Sequence, residues 1–126
     1  MAPMKEFFGN LKVLIQAAML KPPDGDSIGS IGMMIQSNAD RYPDKPALVY
    51  EDRQLTWTEF NRLANQTAHF LLDQGVRPGD CISLLMQNRT EFLICLVGII
   101  KIGAIAGLIN TNLRNQQLNH CVTLIN

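Results

Sequence analysis

The sequence predicts an α/β fold in which strands alternate with helices. Short β-prone runs alternate with segments of helical periodicity, and the connections between them are short. A strand–helix–strand unit of this kind runs its two strands parallel. We therefore expect βαβ units that share one parallel sheet, preceded by an amphipathic helix. With 47% hydrophobic and 17% charged residues, the chain is apolar enough to build a core.

Composition excludes several classes of protein. A chain of 126 residues allows one domain at most. Its 11 basic and 11 acidic residues balance, so the sequence predicts no nucleic-acid partner. The three cysteines are odd in number and lack CxxC spacing: Cys81, Cys95 and Cys121. They predict buried, reduced thiols in a cytoplasmic protein instead of a disulfide framework or a zinc site.

Residues 1–21 have the pattern of an amphipathic helix. Apolar residues recur at the spacing of one helix face: Phe7, Phe8, Leu11, Leu14, Ile15 and Ala18. Polar residues occupy the opposite side: Lys5, Asn10, Lys12 and Gln16. Docking against protein and peripheral contact with a membrane both fit this pattern. Lys12 interrupts the apolar stretch and no cleavage site follows, so secretion is not expected.

Residues 22–27 (PPDGDS) form a linker, because prolines and a glycine prevent the helix from continuing. The domain then starts at residue 28 and extends to residue 126. Its first helix is predicted over residues 30–42 and ends before Pro43. One side of this helix is predicted to carry Ile31, Met34, Ile35 and Asn38.

A small hairpin and a long helix follow. Residues 47–50 and 54–57 are β-prone and are joined by a short polar turn. Thr56 and Glu59 have the spacing of a capping box, which starts a helix that ends before Gly75. The buried face of this helix is predicted to comprise Phe60, Leu63, Ala64, Thr67, Ala68, Leu71 and Leu72.

The remaining elements complete the alternation. Residues 81–86 are nearly all apolar and predict a strand covered on both faces. Asn88 is the predicted N-cap of a helix that Gly103 ends; a strand over 104–109 and a helix over 114–125 follow. The apolar run 92–109 contains Lys101, a charge that is costly inside a bilayer. We interpret this run as a buried helix and a buried strand, not a membrane span.

No catalytic constellation is recognisable in the sequence. The glycines of residues 29–32 follow no strand, and Ala104 stands where a phosphate-binding loop over 98–103 would require lysine. Neither His69 nor His120 pairs with a nucleophile and an acid, and no carboxylates have the spacing of metal ligands. We predict no catalytic, cofactor-binding or metal-binding residues in this chain. One loop, residues 110–114, follows a strand where α/β sheets bind ligands, or else Asn112 only caps the last helix.

Five short patterns in fixed order resemble the opening of AMP-forming acyl-CoA synthetases. They are residues 44–50 (DKPALVY), 55–60 (LTWTEF), 75–80 (GVRPGD), 87–91 (QNRTE) and 101–104 (KIGA). The stretch 108–114 (LINTNLR), with Leu118, His120 and Cys121, resembles the branch of fatty acid transport proteins and very-long-chain acyl-CoA synthetases. Most of that superfamily has proline at about the position of Gly107. The resemblance covers residues 28–125.

This resemblance implies an activity for a longer protein. Such ligases use ATP and Mg²⁺ to convert a fatty acid to an acyl-adenylate, then transfer the acyl group to CoA. The phosphate loop, the acidic residues and the lysine that the family uses would all lie beyond residue 126. We therefore expect residues 28–126 to be an incomplete N-terminal portion of an AMP-binding domain that is inactive alone, binds no cofactor itself and tends to self-associate.

A second hypothesis belongs to a different class. The amphipathic segment 1–21 and the lack of catalytic residues also fit a small non-catalytic α/β module. Such a module would bind a protein partner or a membrane surface through its N-terminal helix.

Overall fold

The computed structural model describes residues 29–125, so the predicted N-terminal helix (1–21) and linker (22–27) lie outside the described residues. Helices and strands follow one another in this order: α1 (Ile31–Arg41), β1 (Pro46–Tyr50), β2 (Arg53–Thr56), α2 (Trp57–Asp73), β3 (Cys81–Leu84), α3 (Thr90–Lys101), β4 (Ile105–Leu108) and α4 (Asn115–Ile125). The α/β class and every predicted element from residue 30 onward are confirmed.

The strands form two separate two-stranded sheets among the described residues. Strands β1 and β2 pair antiparallel as a hairpin, with Leu48 opposite Leu55 and a register shift between Pro46 and Leu48. Strands β3 and β4 pair parallel, with Ser83 opposite Gly107. The predicted hairpin is confirmed. The expectation of one sheet is wrong among the described residues, because β1 and β2 pair with each other and not with β3 or β4. One βαβ unit, β3–α3–β4, carries the parallel sheet.

Helix α1 begins where its cap predicts. The Ser30 side chain accepts a hydrogen bond from the Met33 backbone N–H at 3.1 Å, and Tyr42 closes the helix just before Pro43. The predicted buried side is only partly right. Ile35 is buried, but Ile31 and Met34 are exposed, and the small residues Gly32 and Ala39 are buried.

Helix α2 starts with the predicted capping box. The Glu59 backbone N–H donates to the Thr56 hydroxyl at 3.2 Å, and the Thr56 backbone N–H donates to the Glu59 carboxylate at 2.9 Å. That backbone donor is the main reason why the pKa of Glu59 lies below its ordinary value. Of the predicted face, Phe60, Ala64 and Ala68 are buried, whereas Leu72 is exposed and Asn61 is buried instead.

We expect Thr56→Ala to lower the free energy of unfolding by about 1 kcal/mol, because the Glu59 N–H loses its acceptor. The lowered pKa of Glu59 adds stability that is present above its ordinary pKa of 4.5 and is lost as pH falls through the folded-state value. Glu59→Gln should therefore flatten the acid limb of stability below pH 4.5. Urea denaturation between pH 3 and pH 7 measures both effects, and an unchanged acid limb in Glu59→Gln would contradict the second.

Helix α3 begins one residue later than predicted. Arg89, not Asn88, occupies the N-cap position, and no side chain caps the helix there. The first turn instead carries Glu91, which pairs with Arg53 of β2 and with Arg89 at 2.9 Å. The pKa of Glu91 is lowered, chiefly by its own backbone N–H and further by these two arginines. An acid in the first turn thus replaces the expected side-chain cap.

The core lies between the hairpin and the first three helices. Its buried members are Ile35, Leu55, Phe60, Ala64, Ile94 and Val97, with Ala47, Leu48, Trp57 and Leu63 packed around them. Helices α1, α2 and α3 and strand β2 each contribute one or two buried residues, as expected for a hairpin packed on a layer of helices.

The parallel sheet is less covered than the sequence predicts. Ile105 and Leu108, at the two ends of β4, are 56% and 57% exposed, and in β3 only Leu84 is buried. Residues 105 and 108 point to opposite faces of the strand, so neither face of β4 is fully covered by the described residues, and the expectation of two covered faces is wrong here. Among residues 29–125, none of the helices combines the length and the apolar character that crossing a bilayer requires.

Candidate functional site

A cleft of about 450 Å³ opens at the carboxyl ends of β3 and β4. Because the two strands are parallel, the chain leaves both of them at the same edge of the sheet. The loop after β3 and the loop after β4 therefore face each other across this edge. The lining residues come from these loops, from the end of β4 and from α3: Met86, Gln87, Asn88, Phe92, Leu108, Ile109, Asn110, Thr111 and Asn112.

Local hydrogen bonds fix the loop after β4. The Asn110 side-chain oxygen accepts from the Asn112 backbone N–H at 2.9 Å, which closes a short turn. Arg114 donates through Nη1 to the backbone oxygens of Thr111 and Leu113 at 2.6 and 2.7 Å. These bonds hold the loop as a shaped wall of the cleft.

The structure also decides what Asn112 does. Helix α4 begins at Asn115, three residues further on, so Asn112 is not its cap. The backbone N–H of Asn112 is instead engaged by Asn110. The interpretation of residues 110–114 as the wall of a pocket is therefore the one that the geometry favours.

The chemistry available in this cleft is limited to hydrogen bonding. Its polar side chains are the amides of Gln87, Asn88, Asn110 and Asn112 and the hydroxyl of Thr111. None of these groups titrates near neutral pH, so none can act as a general acid or base. The cleft can bind and orient a polar group, but its lining supplies no proton-transfer chemistry.

Metal-binding donors are not gathered anywhere in residues 29–125. No group of three or more His, Cys, Asp or Glu side chains lies close enough there to hold a metal ion. The residues described here therefore do not form a site that would fit a bound Mg²⁺ through carboxylates.

A second polar cluster joins the three helices of the core. The Lys101 ammonium, at the end of α3, donates to the side-chain oxygens of Asn61 and Asn65 at 2.6 and 2.7 Å. Asn61 in turn donates to the Gln36 side-chain oxygen at 3.0 Å, which brings in α1. Burial lowers the pKa of Lys101, because the charged form loses part of its hydration.

This cluster was missed in the sequence. The available signal is the pair Asn61 and Asn65, which lie four residues apart among the alanines of the buried face of α2. A polar pair on a buried face needs a hydrogen-bonding partner from elsewhere in the fold. Lys101 is that partner, 36 residues further along the chain than Asn65.

The histidines and cysteines lie apart from the cleft. His69 on α2 and His120 on α4 are both exposed, and neither is among the residues that line the cleft. The prediction of three buried thiols is wrong, since Cys81 is exposed at the start of β3 and Cys95 and Cys121 are only half-buried. Partial burial raises the pKa of Cys95, which disfavours its reactive thiolate.

The chain is similar to known proteins in sequence and in fold. The family model described as "AMP-binding enzyme" matches residues 35–125. Medium/long-chain-fatty-acid–CoA ligase FadD6 of Mycobacterium tuberculosis is 34% identical over 125 residues, which cover 97% of this chain and 21% of FadD6. Human long-chain fatty acid transport protein 6 is 30% identical over 120 residues, which cover 93% of this chain and 19% of that protein.

A solved structure agrees with the sequence matches. The Mycobacterium tuberculosis fatty acyl CoA synthetase superposes with a TM-score of 0.63 and 38% identity, covering 66% of this chain and 17% of that one. The sequence resemblance to acyl-CoA synthetases, with a fatty acid transport protein among the relatives, is thereby confirmed. The chain spans about a fifth of the length of the curated relatives that it matches.

Proposed function

This chain belongs to the AMP-binding enzyme family, and on that premise we propose that it is part of a long-chain or very-long-chain fatty acid:CoA ligase. The observation that supports this proposal is the 34% identity with a fatty-acid–CoA ligase across nearly the whole chain. A relative named for long-chain fatty acid transport matches over almost the same span.

The proposed reaction of the whole enzyme has two steps. In the first, a carboxylate oxygen of the fatty acid attacks the α-phosphorus of ATP, and pyrophosphate leaves as the acyl-adenylate forms. In the second, the thiolate sulfur of CoA attacks the acyl carbonyl carbon, and AMP leaves as the thioester forms. Fatty acid, ATP and CoA are the proposed substrates, and Mg²⁺ is the proposed metal.

The part that residues 29–125 take in this reaction is a supporting one. They supply the βαβ frame and, at its open edge, amide groups that can position a polar group of a substrate. The described residues offer no acid–base pair in the cleft and no cluster of carboxylates. We therefore assign neither a chemical step nor the binding of Mg²⁺ to them. This arrangement supports the proposal that the chain is inactive by itself and takes no cofactor of its own.

Two measurements test this proposal. The purified chain, given a long-chain fatty acid, ATP and Mg²⁺, is expected to show no exchange of labelled pyrophosphate into ATP. In a chimera, this chain replaces the matching segment of the Mycobacterium tuberculosis fatty acyl CoA synthetase. We expect the chimera to retain acyl-CoA formation within about tenfold, because protein cores tolerate many hydrophobic substitutions when total volume and patterning are kept.

Circular dichroism and gel filtration serve as the folding control for the chimera. A folded chimera without acyl-CoA synthesis would contradict the proposed family role of this segment. Pyrophosphate exchange by the chain alone would contradict its proposed inactivity.

The finer expectations stay predictions. These are the cytoplasmic location, peripheral membrane contact, self-association of the isolated chain and the alternative role as a non-catalytic binding module. The exposed apolar residues Ile105 and Leu108 on β4 support self-association, since an uncovered strand edge invites pairing.

A further inference from the structure

A groove of about 360 Å³ lies where the first turn of α1 faces the middle of α2 and the end of α3. Polar and apolar residues line it together: Ser30, Gly32, Met33, Gln36, Asn65, Ala68, His69, Leu72, Lys101 and Ile102. Two large apolar side chains at this groove remain open to solvent, since Met33 is 58% and Leu72 48% exposed. Large apolar side chains left open beside a concave surface favour packing by another element.

The position of the groove in the chain narrows the choice of occupant. Ser30, which lines the groove, is the second of the described residues, so the undescribed part of the chain ends two residues before it. Residues 21–29 connect Ser30 to the predicted amphipathic segment, and nine residues reach at most about 30 Å. The apolar segment 4–20 is therefore tethered within reach of the groove. The tether raises the effective concentration of the segment at the groove to roughly the millimolar range.

The residue pattern of the segment predicts an apolar face that can cover the exposed apolar side chains at the groove. As a helix, residues 4–20 would be about 25 Å long with one apolar face. In such a helix Lys5 and Lys12 would fall outside the apolar face, so packing through that face would not bring them against the Lys101 ammonium. The match to FadD6 covers 97% of the chain, so most of residues 1–28 also have counterparts in that relative.

We propose that residues 4–20 of this chain pack as an amphipathic helix into the groove between α1 and α2. The apolar side chains of the segment cover Met33 and Leu72, and its polar side stays in water. A bilayer surface is a poorer occupant, because a concave groove beside three packed helices does not admit a flat surface. This inference does not depend on the proposed ligase function.

The first test follows the methyl group of Met33 by NMR in the full chain labelled at its methionine methyl groups. Leu11→Asp places a charge on the apolar face of the segment, and we expect it to move the Met33 methyl resonance but not that of Met86, which lines the other cleft. Val13→Asp is the matched control, because residue 13 lies off the apolar face. It should leave the Met33 resonance in place.

A second measurement remains informative if Leu11→Asp lowers the folding stability of the whole chain. Leu72→Asp should lower the melting temperature by about 4 to 8 °C in the wild-type background and by much less in the Leu11→Asp background. Val49→Asp, at an exposed position on the hairpin, should have the same effect in both backgrounds.

Five outcomes would overturn the proposal, and four of them need only the protein itself. They are a Met33 resonance that ignores Leu11→Asp, an equal response to Val13→Asp, additive effects of Leu11→Asp and Leu72→Asp, and a Met33 shift that depends on protein concentration. The last would identify a second copy of the chain as the occupant. A Met33 shift that appears only with phosphatidylserine-containing vesicles would assign the segment to a membrane and would equally overturn the proposal.

Discussion

Phe60→Ala is expected to lower the free energy of unfolding by about 3 to 5 kcal/mol. Phe60 is 4% exposed and lies at the centre of the core, in contact with the hairpin and with α3 through the same cluster. Truncation to alanine removes most of a buried aromatic ring and leaves a cavity that rigid neighbours fill only in part. A domain stabilised by about 5 to 15 kcal/mol cannot lose this much and remain fully folded under mild stress.

Helix α2 offers a matched control for this experiment. Phe70 lies on the same helix but is 61% exposed, so Phe70→Ala makes the same chemical change without opening a cavity. We expect it to change the free energy of unfolding by less than about 0.5 kcal/mol. Urea denaturation followed by Trp57 fluorescence measures both variants. Equal losses for the two would show that Phe60 is not the centre of the core.

Gly98→Val is expected to cost about 1 to 3 kcal/mol, although valine has the higher helix propensity. A Cβ atom at Gly98 would lie 2.7 Å from both Cβ and Cγ2 of Thr67 and 3.0 Å from the backbone oxygen of Ala64. Two of these three atoms belong to or adjoin the backbone of α2, so they cannot rotate away. Helices α2 and α3 would have to separate, which would also stretch the bonds from Lys101 to Asn61 and Asn65.

Two further variants make this prediction specific. Gly29→Val meets nothing within 4 Å and should leave the thermal midpoint nearly unchanged. Thr67→Ala in the Gly98→Val background removes Cγ2 but keeps Cβ, so it should restore only part of the lost stability. Full recovery, or no loss in Gly98→Val itself, would contradict the close approach of the two helices.

Local signals explain which parts of the fold could be predicted. The capping box of Thr56 and Glu59 depends on atoms three residues apart, and Gly75 and Gly103 adopt the positive φ that ends a helix. The prediction of Asn88 as N-cap is wrong, since Arg89 occupies that position and no side chain caps the helix there. Glu91 pairs with Arg53, 38 residues away in the sequence, and supplies charge to the first turn of α3.

The candidate site was half visible in the sequence. The loop 110–114 follows a strand, and the rule for parallel sheets marks such a loop as a pocket wall. Its opposite wall, formed by Gln87 and Asn88, carries no signal of its own, because only the parallel register of β3 and β4 brings the two loops together. The hydrogen bond from Lys101 to Asn61 could not be predicted either, because it too joins residues far apart in the chain.

The sequence by itself determined the order of the helices and strands, the caps and turns that bound them, and membership of the AMP-binding enzyme family. Each of these depends on neighbouring residues or on a linear order of short patterns. Only the tertiary structure decided that the hairpin forms its own sheet, that Gly32 and Ala39 are buried while Met34 is not, and that Lys101 is satisfied by amides. Burial and pairing depend on contacts between residues far apart in the chain, and periodicity cannot say which of two apolar faces meets another.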